Sequence, residues 1–324
     1  MAYRKRLAAC VLAPLLLAGP AWSASDRLQA AQAALAAGDY RKAYAAYLAE
    51  APRSALARFT LGSFLREGWG RAPDPVAACR WFEQSAQAVP AAAHYWGDCL
   101  VQGIGRAPDP VRALASYEHA AQGGHLISLC SAADLHIRGR GVPQDAARGL
   151  ALCAQAAQAN SPPAMLRLGD YYYQGDAVPG DLAQARQWYA QAAGMGVAEG
   201  QFKLGVMLAQ GEGGAPDLDA ARYLLESAAS AGYQPAYLPT AQLYGNAPVQ
   251  AGTGALAPEH LAKIYLWSAA AEARAPDSTQ RAAAHDILTQ VLAVMPASWR
   301  PTLDQQVAAH LSQYAPALPH TRSK

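Results

Sequence analysis

Apolar and polar positions along this chain recur with a period of 36 residues between about residues 55 and 232. Short glycine loops mark the period: Gly103-Ile104-Gly105, Gly139-Arg140-Gly141, Gly175-Asp176-Ala177 and Gly211-Glu212-Gly213, with Gly68-Trp69-Gly70 one unit earlier. The clearest unit is Pro162–Gly196. Ala164, Leu168, Tyr171 and Tyr172 fall at helical spacing before the loop at Gly175. Asp181 then opens a second helix carrying Ala185, Trp188, Tyr189, Ala192 and Ala193, which closes at Gly194-Met195-Gly196. This pattern predicts two amphipathic helices of about three turns joined as a hairpin. A fixed period of this size predicts a solenoid, whose units bury their apolar faces only against neighbours. Such a molecule offers a long surface rather than one deep pocket.

Each recurring residue has a mechanical reason. Asp74, Asp109, Asp145, Asp181 and Asp217 share one register position, where an N-cap carboxylate meets free helix N–H groups. Pro75 and Pro110 follow two of them at the first helical position, where a missing N–H costs nothing. Gly62, Gly97, Gly169 and Gly205 lie inside the first helices, which costs about 1 kcal/mol relative to alanine and implies close helix approach. Ala133 takes that place in the third unit. Paired alanines end the second helices at 120–121, 156–157, 192–193 and 228–229, with Gly124, Gly196 and Gly232 as stops.

Ala164, Leu168-Gly169, Tyr172, Gly175, Trp188-Tyr189 and Ala192-Ala193 together resemble the Sel1-like repeat, a relative of the tetratricopeptide repeat. The likeness covers about 55–272, in about six units. It implies an all-α fold, a right-handed α/α solenoid that scaffolds protein partners along a concave groove lined by first helices. Before it, 24–54 looks like a tetratricopeptide-type capping hairpin, with Ala33-Ala34-Leu35-Ala36-Ala37-Gly38-Asp39-Tyr40 at its turn. Two places depart from the pattern. The third unit has Leu152-Cys153 where an aromatic pair is usual, and the sixth carries five surplus residues within Asn246–Pro258. That Gly/Pro-rich stretch predicts a longer loop. Residues 273–324 are expected to close the solenoid with helices over Asp277–Val294 and Trp299–Tyr314, followed by a frayed tail at Thr321–Lys324.

The first 23 residues change the reading of charge and compartment. Arg4, Lys5 and Arg6, the apolar run Leu7–Ala18 and the small residues around Ser23 form a cleavable signal peptide, which places the mature chain in the periplasm. Leu7-Ala8-Ala9-Cys10 spells a lipobox-like tetrapeptide. It is set aside, because no useful apolar length precedes it, and with it an outer-membrane anchor at Cys10. Without the leader, 23 Lys+Arg face 24 Asp+Glu, a formal charge of −1. That excludes a nucleic-acid footprint or a polybasic lipid patch, and no stretch reaches membrane-spanning length. Four cysteines remain, Cys79, Cys99, Cys130 and Cys153. In an exported chain they permit two disulfides in three connectivities, Cys130–Cys153 being one candidate pair.

No catalytic, cofactor or metal constellation stands out. The eight histidines are scattered without H-E-x-x-H spacing, and no G-x-S-x-G elbow or P-loop occurs. The G-x-G loops lack the strand and third glycine of a dinucleotide site. The chain is therefore expected to be a non-enzymatic adaptor for a protein or peptide partner in envelope assembly, polysaccharide export or signalling. The alternative is a protein that binds or modifies peptidoglycan. The candidate face combines the positions two before and one after the mid-helix glycine, which are three apart and share a side of the helix. They are Tyr95 and Asp98, Ser131 and Asp134, Arg167 and Asp170, then Lys203 and Val206. Within Tyr171-Tyr172-Tyr173, packing claims the first two and leaves only Tyr173 for solvent.

Overall fold

A computed structural model describes residues 24–314, so the leader at 1–23, with Cys10, and the tail Thr321–Lys324 lie outside the described residues. Sixteen α-helices and no strand occur among the described residues. The chain begins with the hairpin of α1 (Ala24–Ala36) and α2 (Tyr40–Glu50). Five hairpins of one design follow, here called units one to five. Their first helices are α3 (Ala55–Glu67), α5 (Pro90–Gln102), α7 (Ser128–Arg138), α9 (Pro162–Gln174) and α11 (Ala198–Gln210). Their second helices are α4 (Pro75–Ser85), α6 (Pro110–Gln122), α8 (Ala146–Gln158), α10 (Leu182–Gly194) and α12 (Leu218–Ser230). A sixth hairpin joins α13 (Tyr237–Gly245) to α14 (Pro258–Arg274) through the long loop at 246–257, and α15 (Ser278–Val294) and α16 (Arg300–Gln313) close the array.

The turns explain why the hairpins repeat. Each first helix of units one to five ends on a glycine with φ between +62° and +73°, a left-handed conformation that lets the chain reverse. The aspartate that opens each second helix is held twice. Its carboxylate accepts from the N–H three residues on, at 2.9–3.0 Å. Its own N–H donates back to the first helix, as from Asp109 to the Leu100 carbonyl at 2.9 Å and Asp181 to the Tyr172 carbonyl at 2.9 Å. At the far end of unit three, Asn160 takes φ +59°, the one non-glycine left-handed residue among the described residues.

In units one, two, four and five a large side chain of the second helix sits on a glycine of the first. A Cβ added at Gly62 would lie 2.5 Å from the Phe82 ring, one at Gly97 2.5 Å from Tyr117, and one at Gly169 2.3 Å from Tyr189. These contacts explain the mid-helix glycines, because no bulkier residue lets the ring seat. Unit three inverts the pattern. Ala133 faces the small Cys153, and the close approach moves to the other helix, where Gly149 meets Ile137. Cys153 is bonded to Cys130 across that unit, and Cys79 to Cys99 between units one and two.

The array ends differently. Helix α16 runs alongside α14, held by Tyr265 to Asp304, Arg274 to the Leu311 carbonyl and His310 to the Tyr237 hydroxyl. Only Leu303 of α16 is fully buried.

Candidate partner-binding face

The first helices stand side by side, and their shared face is knitted by contacts between successive units. Tyr95 of α5 stacks on Phe59 of α3 at 6.1 Å, with the Arg66 guanidinium 3.8 Å from its ring centre. His94 of α5 reaches Ser128 at the start of α7, the Tyr171 hydroxyl of α9 lies 3.5 Å from Asp134 of α7, and Lys203 of α11 bonds Asp170 of α9 at 2.6 Å. Of the residues expected at this face, Tyr95, Asp98, Ser131, Asp134, Asp170, Lys203 and Val206 are half-buried, and Arg167 is exposed.

Their surroundings divide the three aspartates. The Tyr117 hydroxyl donates to Asp98 at 2.7 Å and the Tyr189 hydroxyl to Asp170 at 2.7 Å, each from the second helix of the same unit. Burial, reinforced by these carboxylates, pushes both phenols far above their ordinary range. Burial also raises the Asp98 carboxyl, an effect the Tyr117 hydroxyl partly offsets. These two acids thus hold buried hydroxyls, whose desolvation would otherwise be uncompensated. The rule extends along the array. Nineteen residues after the face position stand Phe82 for Ser63 and Leu225 for Val206, so units one and five have neither the hydroxyl nor the acid. Asp134 is the exception, since its counterpart Cys153 offers it no hydroxyl. It is held instead by Arg138 at 2.8 Å and faces Arg140 at 3.6 Å, and Arg138 in turn reaches Asp176 of the next unit.

The basic positions divide as well. Lys203 bonds Asp170 and Glu199, which outweigh its burial and hold its ammonium above the ordinary range. Arg167, one unit earlier in the same register, makes no hydrogen bond or ion pair among the described residues. Beside Lys203 opens a cavity of about 290 Å³ lined by Asp170, Tyr173, Gln174, Tyr189, Phe202, Lys203, Val206 and Met207. Within the tyrosine triplet, Tyr171 is buried, Tyr172 half-buried, and Tyr173 is exposed and lines this cavity. The cavity and the tyrosine–aspartate pairs escaped the sequence reading, although the 19-residue spacing of Asp98 to Tyr117 and Asp170 to Tyr189 carried a signal for the pairs.

A second polar cluster lies between units two and three. His94 Nδ1 is 3.0 Å and His125 Nδ1 2.8 Å from the buried Ser128 hydroxyl, and the two rings are 4.6 Å apart. His94 Nε2 faces Asp98 at 3.6 Å. One hydroxyl proton serves two imidazoles, so one ring accepts while the other donates. Burial first, then the neighbouring His125 and arginines, lowers His94 to about 4. With Ser128 sealed from solvent this is a structural joint, not a nucleophile with its base. Among the described residues no three His, Cys, Asp or Glu side chains are grouped to hold a metal ion. No described helix is long and apolar enough to cross a membrane.

The Sel1 repeat family model matches residues 55–88, 90–125, 127–161, 162–197 and 198–233, more than half of the chain and in step with the five units. The chain belongs to the Sel1 repeat family. Sel1 repeats generally mediate protein–protein interaction. Two solved structures share the Sel1 solenoid. One is a protective antigen of uropathogenic Escherichia coli strains, 21% identical with a TM-score of 0.57, covering 91% of this chain. This chain spans 62% of that antigen's length. The other is a Sel1 repeat protein from Oxalobacter formigenes, 24% identical with a TM-score of 0.52, covering 69% of this chain and 91% of its own. No curated protein matches the chain.

Proposed function

We propose that this Sel1 repeat chain is a non-enzymatic scaffold that holds an extended segment of a protein partner along the face of its first helices. One observation carries the reading. Packing uses up the caps, the turn glycines and the second-helix rings, while the first-helix face keeps a half-open apolar cavity beside charged side chains. Apolar concavities with a few placed polar groups are where ligand side chains seat. We place the chain in the periplasm, as its leader-like first residues suggest. The two disulfides among the described residues support an oxidising compartment.

The test is a photocrosslinking amino acid placed in living cells at Val206 or Ser131 on the face, and at Tyr223 on the exposed side of α12. The reading expects one discrete protein adduct from the two face positions and none from Tyr223. Adducts from Tyr223 alone would sink it. Sedimentation of the purified chain with isolated sacculi, with no protein adduct from any position, would favour peptidoglycan instead.

A further inference from the structure

Arg167 and Lys203 occupy the same register one unit apart, yet their circumstances are opposite. The Lys203 ammonium is spent on Asp170 and on Glu199, four residues earlier on its own helix. Arg167 has Pro163 four residues earlier, and the acid one unit back, Asp134, is held by Arg138 and faced by Arg140. The next acid within its field, Asp98, accepts from Tyr117 and faces His94. The exposed guanidinium, with its five donors in a planar fork, is therefore left uncommitted on the face. Asp170, one helical turn along from Arg167 and so about 5 Å away along the helix, lines the cavity together with Tyr173, Phe202, Val206 and Met207.

We propose that Arg167 seats a carboxylate of the bound protein segment while the adjoining cavity takes an apolar or aromatic side chain of that same segment. This rests on the groove reading above and specifies its occupant. A carboxylate matches the guanidinium fork in a paired hydrogen-bonding geometry. A doubly charged phosphate matches it less well, because Asp98, Asp134 and Asp170 all lie on the same face and repel a dianion more strongly than a monoanion. A cavity of about 290 Å³ is at the lower end of the range for small ligands, and suits one side chain.

The test uses a random dodecapeptide display library selected on the purified chain. Enriched peptides should carry Asp or Glu within a few residues of an aromatic or large aliphatic residue. A synthetic peptide from that set should bind Arg167→Glu at least about tenfold more weakly, as expected for a lost charged pair. Changing the peptide's acidic residue to arginine should restore binding to Arg167→Glu. Val206→Asp, which places in unit five the acid that units two to four already accept, should also weaken binding at least about tenfold. Circular dichroism and melting temperature check that both variants are folded. Peptides that bind Arg167→Glu as tightly as the parent but lose affinity for Val206→Asp would overturn the carboxylate assignment and leave the groove reading standing. Peptides indifferent to both changes, or a library with no enrichment, would overturn both.

Discussion

Unit three and its neighbours, units two and four, solve the same packing problem with opposite chemistry. In units two and four a tyrosine of the second helix lies across a glycine of the first, and its buried hydroxyl is satisfied by the aspartate beside that glycine. In unit three the ring is replaced by Cys153, the glycine by Ala133, and the space is closed by a disulfide to Cys130 and by Gly149 under Ile137. The two designs share a backbone and differ in what their aspartate must do. Where a tyrosine is present the acid satisfies its buried hydroxyl. Where it is absent, Asp134 is free to gather arginines. A register position can thus look uniform in sequence and carry two roles, decided by a residue on the facing helix.

The comparison can be broken most forcefully at the disulfide. Replacing Cys130 and Cys153 by alanine removes the cross-link and the sulfur atoms packed in that space, and should cost about 3 kcal/mol. Hydrogen exchange should show the loss concentrated in α7 and α8, because solenoid units transmit stability mainly to neighbours. Uniform loss across all units would contradict the division drawn here.

An effect that reaches a similar size only in acid sharpens it through pH. The joint between units two and three contains His94, His125 and Ser128. The matching positions between units three and four are Cys130, Ser161 and Ala164, which cannot titrate near neutrality once Cys130 is oxidised. His94 is lowered to about 4 by burial, below its ordinary 6.5, so folding favours the neutral ring. Its contribution is complete above pH 6.5 and is lost as pH falls from there towards 4, up to about 3 kcal/mol in all. Arg66, Arg167 and Asp98 are the other charges in its field, and the lowered His125 acts in the same direction. Amide exchange at pH 5 should therefore open the joint of α5 and α7 before that of α7 and α9. His94→Gln should flatten this dependence. Equal loosening of both joints would count against it.

The smallest test exchanges the small residues. Gly169→Ala pushes a methyl into the Tyr189 ring and should destabilise by about 1–2 kcal/mol, despite alanine's better helix propensity. Ala133→Gly meets no ring and should cost about 1 kcal/mol from propensity alone. Tyr189→Phe should cost about 1 kcal/mol by removing one hydrogen bond to Asp170, which keeps its bond to Lys203. Equilibrium melting of the three variants side by side tests the ranking. If Gly169→Ala proved stabilising, the ring would not set that glycine.

Much of this was legible in the chain. Period, caps and turns are local events, decided by backbone N–H groups that need an acceptor and by glycines that alone adopt positive φ cheaply. Residues 95, 98, 131, 134, 167, 170 and 203 could be put on one face because three-residue spacing does so in any helix. What could not be read was which of them were already engaged. Arg138, one turn after Asp134 on the same helix, is a partner the sequence shows, but that Asp98 and Asp170 accept from Tyr117 and Tyr189 is decided by the helix that folds back over them. Nor did the weakly patterned α16 reveal that it would lie along α14. Few of its residues are buried, and its position rests on scattered polar links such as His310 to Tyr237, 73 residues apart.

The sequence by itself therefore determined the repeating hairpin, because the forces that start, stop and pair these helices act within about 36 residues. The tertiary structure alone decided the character of the face. Whether Arg167 is bonded or left open depends on side chains from units before and after it, and on how far each neighbour's charge is already satisfied.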